Sequence, residues 1–146
     1  MIKLVRCAEW LLSEEGKPLI AEYSAECSIP EIGPINPQPE TYAAMENAGL
    51  MQSFAAYDGG KLAGFANLLT PIMPHYGVKV ATVETLYIAE WSGLGSDLMR
   101  AMAEYAEGAG CVGILCSAPT GGRFERYLEA SKHYQRTNTV FYRRFA

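Results

Sequence analysis

The stretch from Thr82 to about Glu107 carries the residues whose types and spacing best suit a chemical role. A β-branched and apolar run, Thr82–Ile88, passes through a turn containing Gly93 and Gly95 into a helical pattern. The first peptide N–H groups of a helix have no partners within the helix, so such an end attracts anions. The glycines permit a tight turn and close approach, and Ser96 adds a hydroxyl donor. The pattern therefore predicts a site for a pyrophosphate.

This signal has low specificity, because a strand, a glycine turn and a helix also occur in α/β proteins without a ligand. The turn is not a Walker loop, since no Gly-Lys-Ser/Thr sequence follows it. It is not the Rossmann fingerprint either, since the third glycine is absent. An anion-binding turn and a purely structural turn both remain open.

Glu84 is the only acidic residue within the Thr82–Ile88 run, which otherwise suits a buried strand. Burial disfavours the ionised form of a carboxylate, so it raises the pKa of the group toward the range that suits a general base. Glu84 is therefore a candidate general base, acting directly or through water. The alternative is a carboxylate at the sheet rim that binds a neighbouring arginine or the backbone.

The composition predicts one domain, residues 1–146, of an ordinary globular class, with 49% hydrophobic and 19% charged residues. A formal net charge of −4 argues against nucleic-acid binding, and no segment is apolar enough for a membrane span. Four cysteines without C-x-x-C spacing and two histidines make a metal site unexpected. No secretion signal begins the chain, which predicts a cytoplasmic protein with reduced thiols.

Hydrophobic periodicity and turn residues predict the order of elements. A short strand at 1–5 precedes helices at about 6–16, 18–26 and 40–48, and a proline-rich connector covers 29–39. A glycine-rich link joins runs 51–57 and 62–69 as a hairpin. The later elements are a central strand at 78–88, a helix at 97–107, a strand at 112–117, a helix containing Tyr127, and final strands at 133–136 and 139–145.

The order of strand, short turn, Gly-x-Gly, helix and the apolar strand Val112–Cys116 resembles the core motif of the GNAT superfamily of acyl-CoA dependent N-acyltransferases. The family pattern is Gln/Arg-x-x-Gly-x-Gly/Ala. Glu90–Gly95 matches it at both glycines and carries Glu90 at the basic position. The chain looks closest to small acetyltransferases of tailed phages. The resemblance implies a single GNAT-type α/β (α+β) domain, with a mixed, mostly antiparallel central sheet and about four helices.

The resemblance also implies acetyl-CoA as the cofactor. Its pyrophosphate would lie on the turn and helix start formed by Gly93, Leu94, Gly95 and Ser96. The Leu86 backbone N–H would polarise the thioester carbonyl. Ile88 would bind the pantetheine arm in a slot that opens where the parallel strands splay after Ile88.

Tyr127 is the general acid that the resemblance implies, because the family places a tyrosine at this point of the helix near the thioester sulfur. The Gly-Phe pair that usually follows is absent here, so Tyr134 is the fallback. Structural packing beside Phe124 and Leu128 is an equally weighted alternative for Tyr127.

These residues together predict an N-acetyltransferase that moves an acetyl group to a primary amine, on a small molecule or a protein, with Glu84 as base and Tyr127 as acid. The proline-rich loop would border the acceptor pocket, and family precedent allows a homodimer. A catalytically inactive GNAT-fold binding or inhibitory module is the alternative, favoured by Glu90 and the short turn. An unrelated nucleotide-binding α/β protein is a third option.

Overall fold

A computed structural model describes residues 1–145, which form seven strands and five α-helices, so that only Ala146 of the expected domain lies outside the described residues. The strands are β1 (Ile2–Val5), β2 (Met51–Asp58), β3 (Lys61–Leu69), β4 (Ile72–Met73), β5 (Val78–Lys79), β6 (Ala81–Ile88) and β7 (Ile114–Leu115). The helices are α1 (Cys7–Leu11), α2 (Gly16–Cys27), α3 (Pro39–Asn47), α4 (Gly95–Gly108) and α5 (Arg123–Ala130), and a 3-10 turn covers Glu90–Ser92.

Five of the strands form a mixed sheet in the order β1-β2-β3-β6-β7. The first three pairings are antiparallel, and only β6 with β7 is parallel. β4 and β5 form a separate two-stranded ribbon. The predicted mixed, mostly antiparallel α/β fold is confirmed, with five helices instead of about four.

The predicted hairpin between β2 and β3 is confirmed. Gly59 and Gly60 connect the strands with φ values of +55° and +83°, which side chains other than glycine rarely adopt. A two-residue turn with positive φ at both central positions matches the right-handed twist of its strands. This turn sets the register that pairs Asp58 with Lys61.

Two hydrophobic clusters cover the two faces of the sheet. On one face, which we call the α4 face, Leu98 and Met102 of α4 pack against Phe54 and Leu68. On the other, the α1–α3 face, side chains of α1, α2 and α3 pack around Phe65. α4 buries a stripe made of Leu98, Met99, Met102 and Ala106, while Ala101 and Tyr105 are half-buried.

The two predicted C-terminal strands are wrong, because residues 133–145 contain no strand. Val140, Phe141 and Phe145 of this segment are 75%, 89% and 80% exposed. The strand predicted at 112–117 is reduced to β7, which has two residues. A β-branched and aromatic segment becomes a strand only beside an edge that offers enough backbone partners, and β7 offers too few.

Within residues 1–145, no helix combines the length and the apolar character needed to cross a membrane. No cluster of three or more His, Cys, Asp or Glu side chains in the same range is arranged to hold a metal ion.

Candidate active site

A bulge in β6 determines where Glu84 lies. The β3–β6 register pairs Asn67 with Thr85 and Leu68 with Val83, so that Glu84 has no partner residue on β3. A bulge leaves the extra residue unpaired and re-aims its side chain. The Glu84 carboxylate consequently meets side chains of the α1–α3 face.

Three side chains donate hydrogen bonds to the Glu84 carboxylate. The Tyr42 hydroxyl lies 3.1 Å from Oε1, the Asn67 Nδ2 lies 3.3 Å from Oε2, and the Thr85 hydroxyl also donates to Oε2. Burial, followed by the charge of Glu84, raises the pKa of Tyr42, which keeps its hydroxyl in the donor form. The three donors hold the Glu84 carboxylate in a defined position.

The expectation that Glu84 is buried is wrong, since its side chain is exposed. It lies in the wall of an open cavity of about 360 Å³. The proline-rich loop contributes seven neighbouring positions to this cavity, from Ile29 to Pro37, and α1 and α2 contribute Trp10, Ile20 and Tyr23. The structure therefore brings the predicted substrate-side loop and the predicted base into one cavity.

The glycine turn presents an open surface at the start of α4. Gly93 has φ +66°, and a Cβ added at Gly93 or Gly95 would meet nothing within 4 Å. The Leu94 N–H donates to Ser92 Oγ at 3.3 Å. In residues 1–145, the N–H groups of Gly95 and Ser96 have no hydrogen-bond partner. Space and free donors together fit a diphosphate at this end of the helix.

The parallel pairing between β6 and β7 ends early. It joins only Ala81 to Ile114 and Thr82 to Leu115. The expectation that the strands splay after Ile88 is therefore wrong, because they already diverge after Thr82. Leu86 and Ile88 consequently lie in the part of β6 that has no partner on the β7 side.

Arg123 of α5 reaches the end of β6, which the sequence did not predict. Its Nε and Nη2 bind Glu26 at 2.7 and 3.0 Å, and Nη2 also donates to the Ile88 carbonyl. Arg123 Nε lies 3.9 Å from Glu90, and the guanidinium is 5.4 Å from the Tyr87 ring centroid. The acidic residue at the family's basic position thus has a cation beside it, supplied from another element.

Tyr127 and Tyr134 are both half-buried against the α4-face cluster, on the other side of the sheet from the partners of Glu84. The Tyr127 ring stacks on Phe124 at 6.4 Å. Burial, then the charges of Cys116 and Tyr127, raises the pKa of Tyr134 to about 12. The structure does not bring Tyr127 into contact with Glu84.

A mixed sheet whose parallel pair opens beside a glycine turn and a helix start defines the GNAT-type class of fold. Residues 9–134 match the family model described as the acetyltransferase (GNAT) family. The chain belongs to this family. No curated protein sequence matches it.

Solved structures support the fold across the whole chain. A ribosomal-protein-alanine N-acetyltransferase from Brucella melitensis biovar Abortus 2308 has a TM-score of 0.73 at 18% identity, covering 99% of this chain and 98% of the other. An aminoglycoside acetyltransferase from an uncultured soil metagenomic sample, in complex with sisomicin, has a TM-score of 0.73 at 12% identity, covering 100% of this chain and 96% of the other. The aminoglycoside N-acetyltransferase AAC(6')-Iy in complex with CoA has a TM-score of 0.69 at 15% identity, covering 100% of both chains.

Proposed function

We propose that this chain, as a single domain of residues 1–146, transfers an acetyl group from acetyl-CoA to a primary amine. One observation carries the proposal: β6 joins a cavity containing the hydrogen-bonded Glu84 to an open glycine turn with free helix N–H groups. The family membership supports the same conclusion. An acceptor site beside the middle of a strand and a phosphate site beyond its C-terminal end suit direct transfer.

The residues of the turn would hold the cofactor. The N–H groups of Gly93, Gly95 and Ser96 would bind the diphosphate, and Leu94 would join them if its N–H exchanged Ser92 Oγ for a phosphate oxygen. Leu86 and Ile88 would line the pantetheine arm. The Ile88 carbonyl would become available to accept a hydrogen bond from that arm once Arg123 releases it. Acetyl-CoA supplies an activated thioester, so the protein needs only to position the reactants and move protons.

For the transfer to balance, the acceptor nitrogen must lose two protons and the sulfur must gain one. Glu84 would accept the first from the acceptor's ammonium group, which leaves a neutral amine to form the new C–N bond. The Leu86 backbone N–H would stabilise the charge on the carbonyl oxygen, and Tyr127 would donate a proton to the sulfur as the C–S bond breaks. The nitrogen's second proton, lost through water as the amide forms, would return Tyr127 to its neutral form. Tyr134 is the alternative acid. A larger loss of kcat in Tyr127→Phe than in Tyr134→Phe would assign the role to Tyr127.

The charge, the exposed apolar residues and the thiols of the chain bear on its partners and location. The acceptor is an amine of a small molecule or a protein, and nucleic acid is not a partner of a chain with net charge −4. The exposed Val140, Phe141 and Phe145 support a homodimer through the C-terminal segment. Four free thiols support a cytoplasmic location, and the likeness to phage acetyltransferases stays a prediction.

The test combines melting with labelled transfer. Acetyl-CoA should raise the melting temperature, because a ligand that binds only the folded state stabilises it. Glu84→Gln should keep this shift and lower kcat by about 10²- to 10⁴-fold, the usual contribution of a general base. Glu104→Gln, an exposed carboxylate on α4, is the matched control and should retain kcat. If millimolar acetyl-CoA leaves the melting temperature unchanged, the proposal fails.

A binding or inhibitory module without catalysis is the second candidate. The Leu94 N–H and the Ile88 carbonyl are both engaged by protein groups, and Glu90 adds a negative charge beside the turn. These contacts oppose cofactor entry. A chain that captures a partner on pull-down but transfers no label from acetyl-CoA to any amine would support this candidate.

A further inference from the structure

We propose that the acceptor is a small primary amine on an apolar body with a single cationic centre. This inference rests on the proposed function and names the substrate class of its acceptor cavity. At about 360 Å³, the cavity lies toward the lower end of the range for small-molecule pockets, about 300–1,000 Å³.

The chemistry of the cavity wall is the first argument. Glu84 is the only charged side chain among its sixteen lining residues. Aromatic and branched aliphatic side chains dominate the rest, including Trp10, Ile20, Tyr23, Ile32, Ile35 and Phe65. Such a wall provides favourable burial for an apolar group and one ionic partner for an ammonium group.

Two carboxylates of α2 that neighbour lining residues are engaged by protein groups and do not add a second ionic partner. Glu22 of α2 accepts a hydrogen bond from the Tyr87 hydroxyl at 2.6 Å. Glu26 of the same helix forms the two-pronged pair with Arg123. A polycationic acceptor would place its further ammonium groups against apolar side chains, where an unpaired charge is strongly disfavoured.

Aromatic side chains that pack on one another form a rigid apolar part of the cavity wall. The rings of Trp10 and Phe65 stack at 4.0 Å with an interplanar angle of 2°, and Tyr23 meets Phe65 edge-on at 5.9 Å. Aromatic faces and edges pack well against another ring. Within the described residues, the buried Trp10 indole N–H has no hydrogen-bond partner.

Binding can be measured without the reaction. The chain has two tryptophans, so in Trp91→Phe the tryptophan fluorescence comes from Trp10 alone. The apolar monoamine is phenethylamine, which has no indole to overlap that signal, and the polycation is sisomicin. Phenethylamine should change Trp10 emission with an affinity at least tenfold above that of sisomicin. No response to phenethylamine up to millimolar concentration overturns the inference.

Turnover gives the second measurement. With saturating acetyl-CoA, the wild-type chain should show kcat/KM for phenethylamine at least tenfold above that for sisomicin. Equal values, or a preference for sisomicin, overturn the inference. A higher kcat/KM for a peptide that begins with phenylalanine than for phenethylamine overturns the assignment of a small acceptor and identifies a polypeptide N-terminus as the source of the amine.

A matched pair of variants tests the charge argument. Ile32 lies on the cavity wall and is 64% exposed, so polar replacements there should leave the fold intact. Ile32→Asp should raise the sisomicin-to-phenethylamine ratio of kcat/KM at least tenfold, whereas Ile32→Asn should not. An equal change in both variants would contradict a specificity determined by charge.

The two proposals fail in different ways. Absence of an acetyl-CoA melting shift and of any labelled product defeats the proposed transferase. A normal melting shift with labelled product on sisomicin in preference to phenethylamine defeats only the assignment of the acceptor.

Discussion

Asn67 holds Glu84 in a defined orientation from beneath the cavity. Asn67 is fully buried; its Nδ2 donates to Glu84, and its Oδ1 accepts a hydrogen bond from Ser53 Oγ at 2.5 Å. Ser53 Oγ also lies 3.2 Å from Glu46 Oε1, and Glu46 pairs with Arg6 at 3.1 Å. Because both ends of the amide are engaged, its orientation is fixed, and Asn67 acts as a positioning residue for the base.

The variant Asn67→Asp tests this role. A carboxylate cannot donate to Glu84, and two carboxylates at this distance make ionisation of the pair unfavourable. We expect the acid limb of the pH–rate profile to move up by about one unit or more, with a loss of kcat/KM at neutral pH.

Ser53→Ala is the control for this prediction. It removes the other partner of Asn67 without adding a charge, so it should lower the melting temperature and leave the acid limb in place. An unchanged acid limb in Asn67→Asp would show that Asn67 has a packing role only.

From the sequence alone, a residue can be singled out where its side chain departs from its local pattern. Glu84 stands out as an acid within an apolar strand, and the sequence identifies it on that ground. Its partners Tyr42 and Asn67 are 42 and 17 residues away, so no local spacing joins them to it. Asn67 and Ser53 were nevertheless visible as polar residues inside apolar runs, and that signal would have marked a buried polar network.

The start of α4 is the element that distinguishes a cofactor site from a structural turn. Gly95→Asp places a carboxylate in the open space while its backbone stays outside the positive-φ region. An acidic residue in the first turn stabilises a helix by about 0.3–1 kcal/mol, so the free protein should melt at an equal or higher temperature. The acetyl-CoA melting shift should nonetheless disappear, because the carboxylate repels a diphosphate.

Gly95→Asn controls for side-chain size at this position. It should retain most of the acetyl-CoA shift, because it adds no charge. If Gly95→Asp melts with the full wild-type shift, the diphosphate does not bind at the start of α4.

Helices and strands could be predicted from the sequence where their stabilising contacts are local. The β2–β3 hairpin depends on its glycine turn, and α4 depends on a periodic apolar stripe, so both were predictable. The strand expected at 139–145 depends on a distant partner edge, and the two residues of β7 do not provide it. The short ribbon of β4 and β5 interrupts the segment expected to enter the central strand, and its pairing is likewise not visible in hydrophobic periodicity.

In the whole molecule, the sheet separates two hydrophobic clusters, and both contain thiols in apolar surroundings. Cys7 is 1% exposed in the α1–α3 cluster, and burial raises its pKa from 9.0 to about 12. Cys116 packs against the α4-face cluster, and burial raises its pKa to about 11. The folded state therefore retains protons that the unfolded chain releases from about pH 9 upward.

This difference predicts a loss of stability in alkali. The contribution of Cys7 is fully present below pH 9.0, its unfolded value, and is lost as the pH rises toward about 12, its folded value. Cys7→Ala should be less stable at pH 7 because packing is lost. As the pH rises between these limits, however, its free energy of unfolding should fall less steeply than that of the wild type, and the two slopes should differ by up to about 1.4 kcal/mol per pH unit. Leu19→Ala truncates a buried residue of the same cluster, keeps the thiol, and should retain the wild-type slope. Urea unfolding at half-unit steps from pH 8 to pH 11 measures these slopes. Parallel plots of the free energy of unfolding against pH for Cys7→Ala and the wild type would show that the buried thiol does not couple folding to pH.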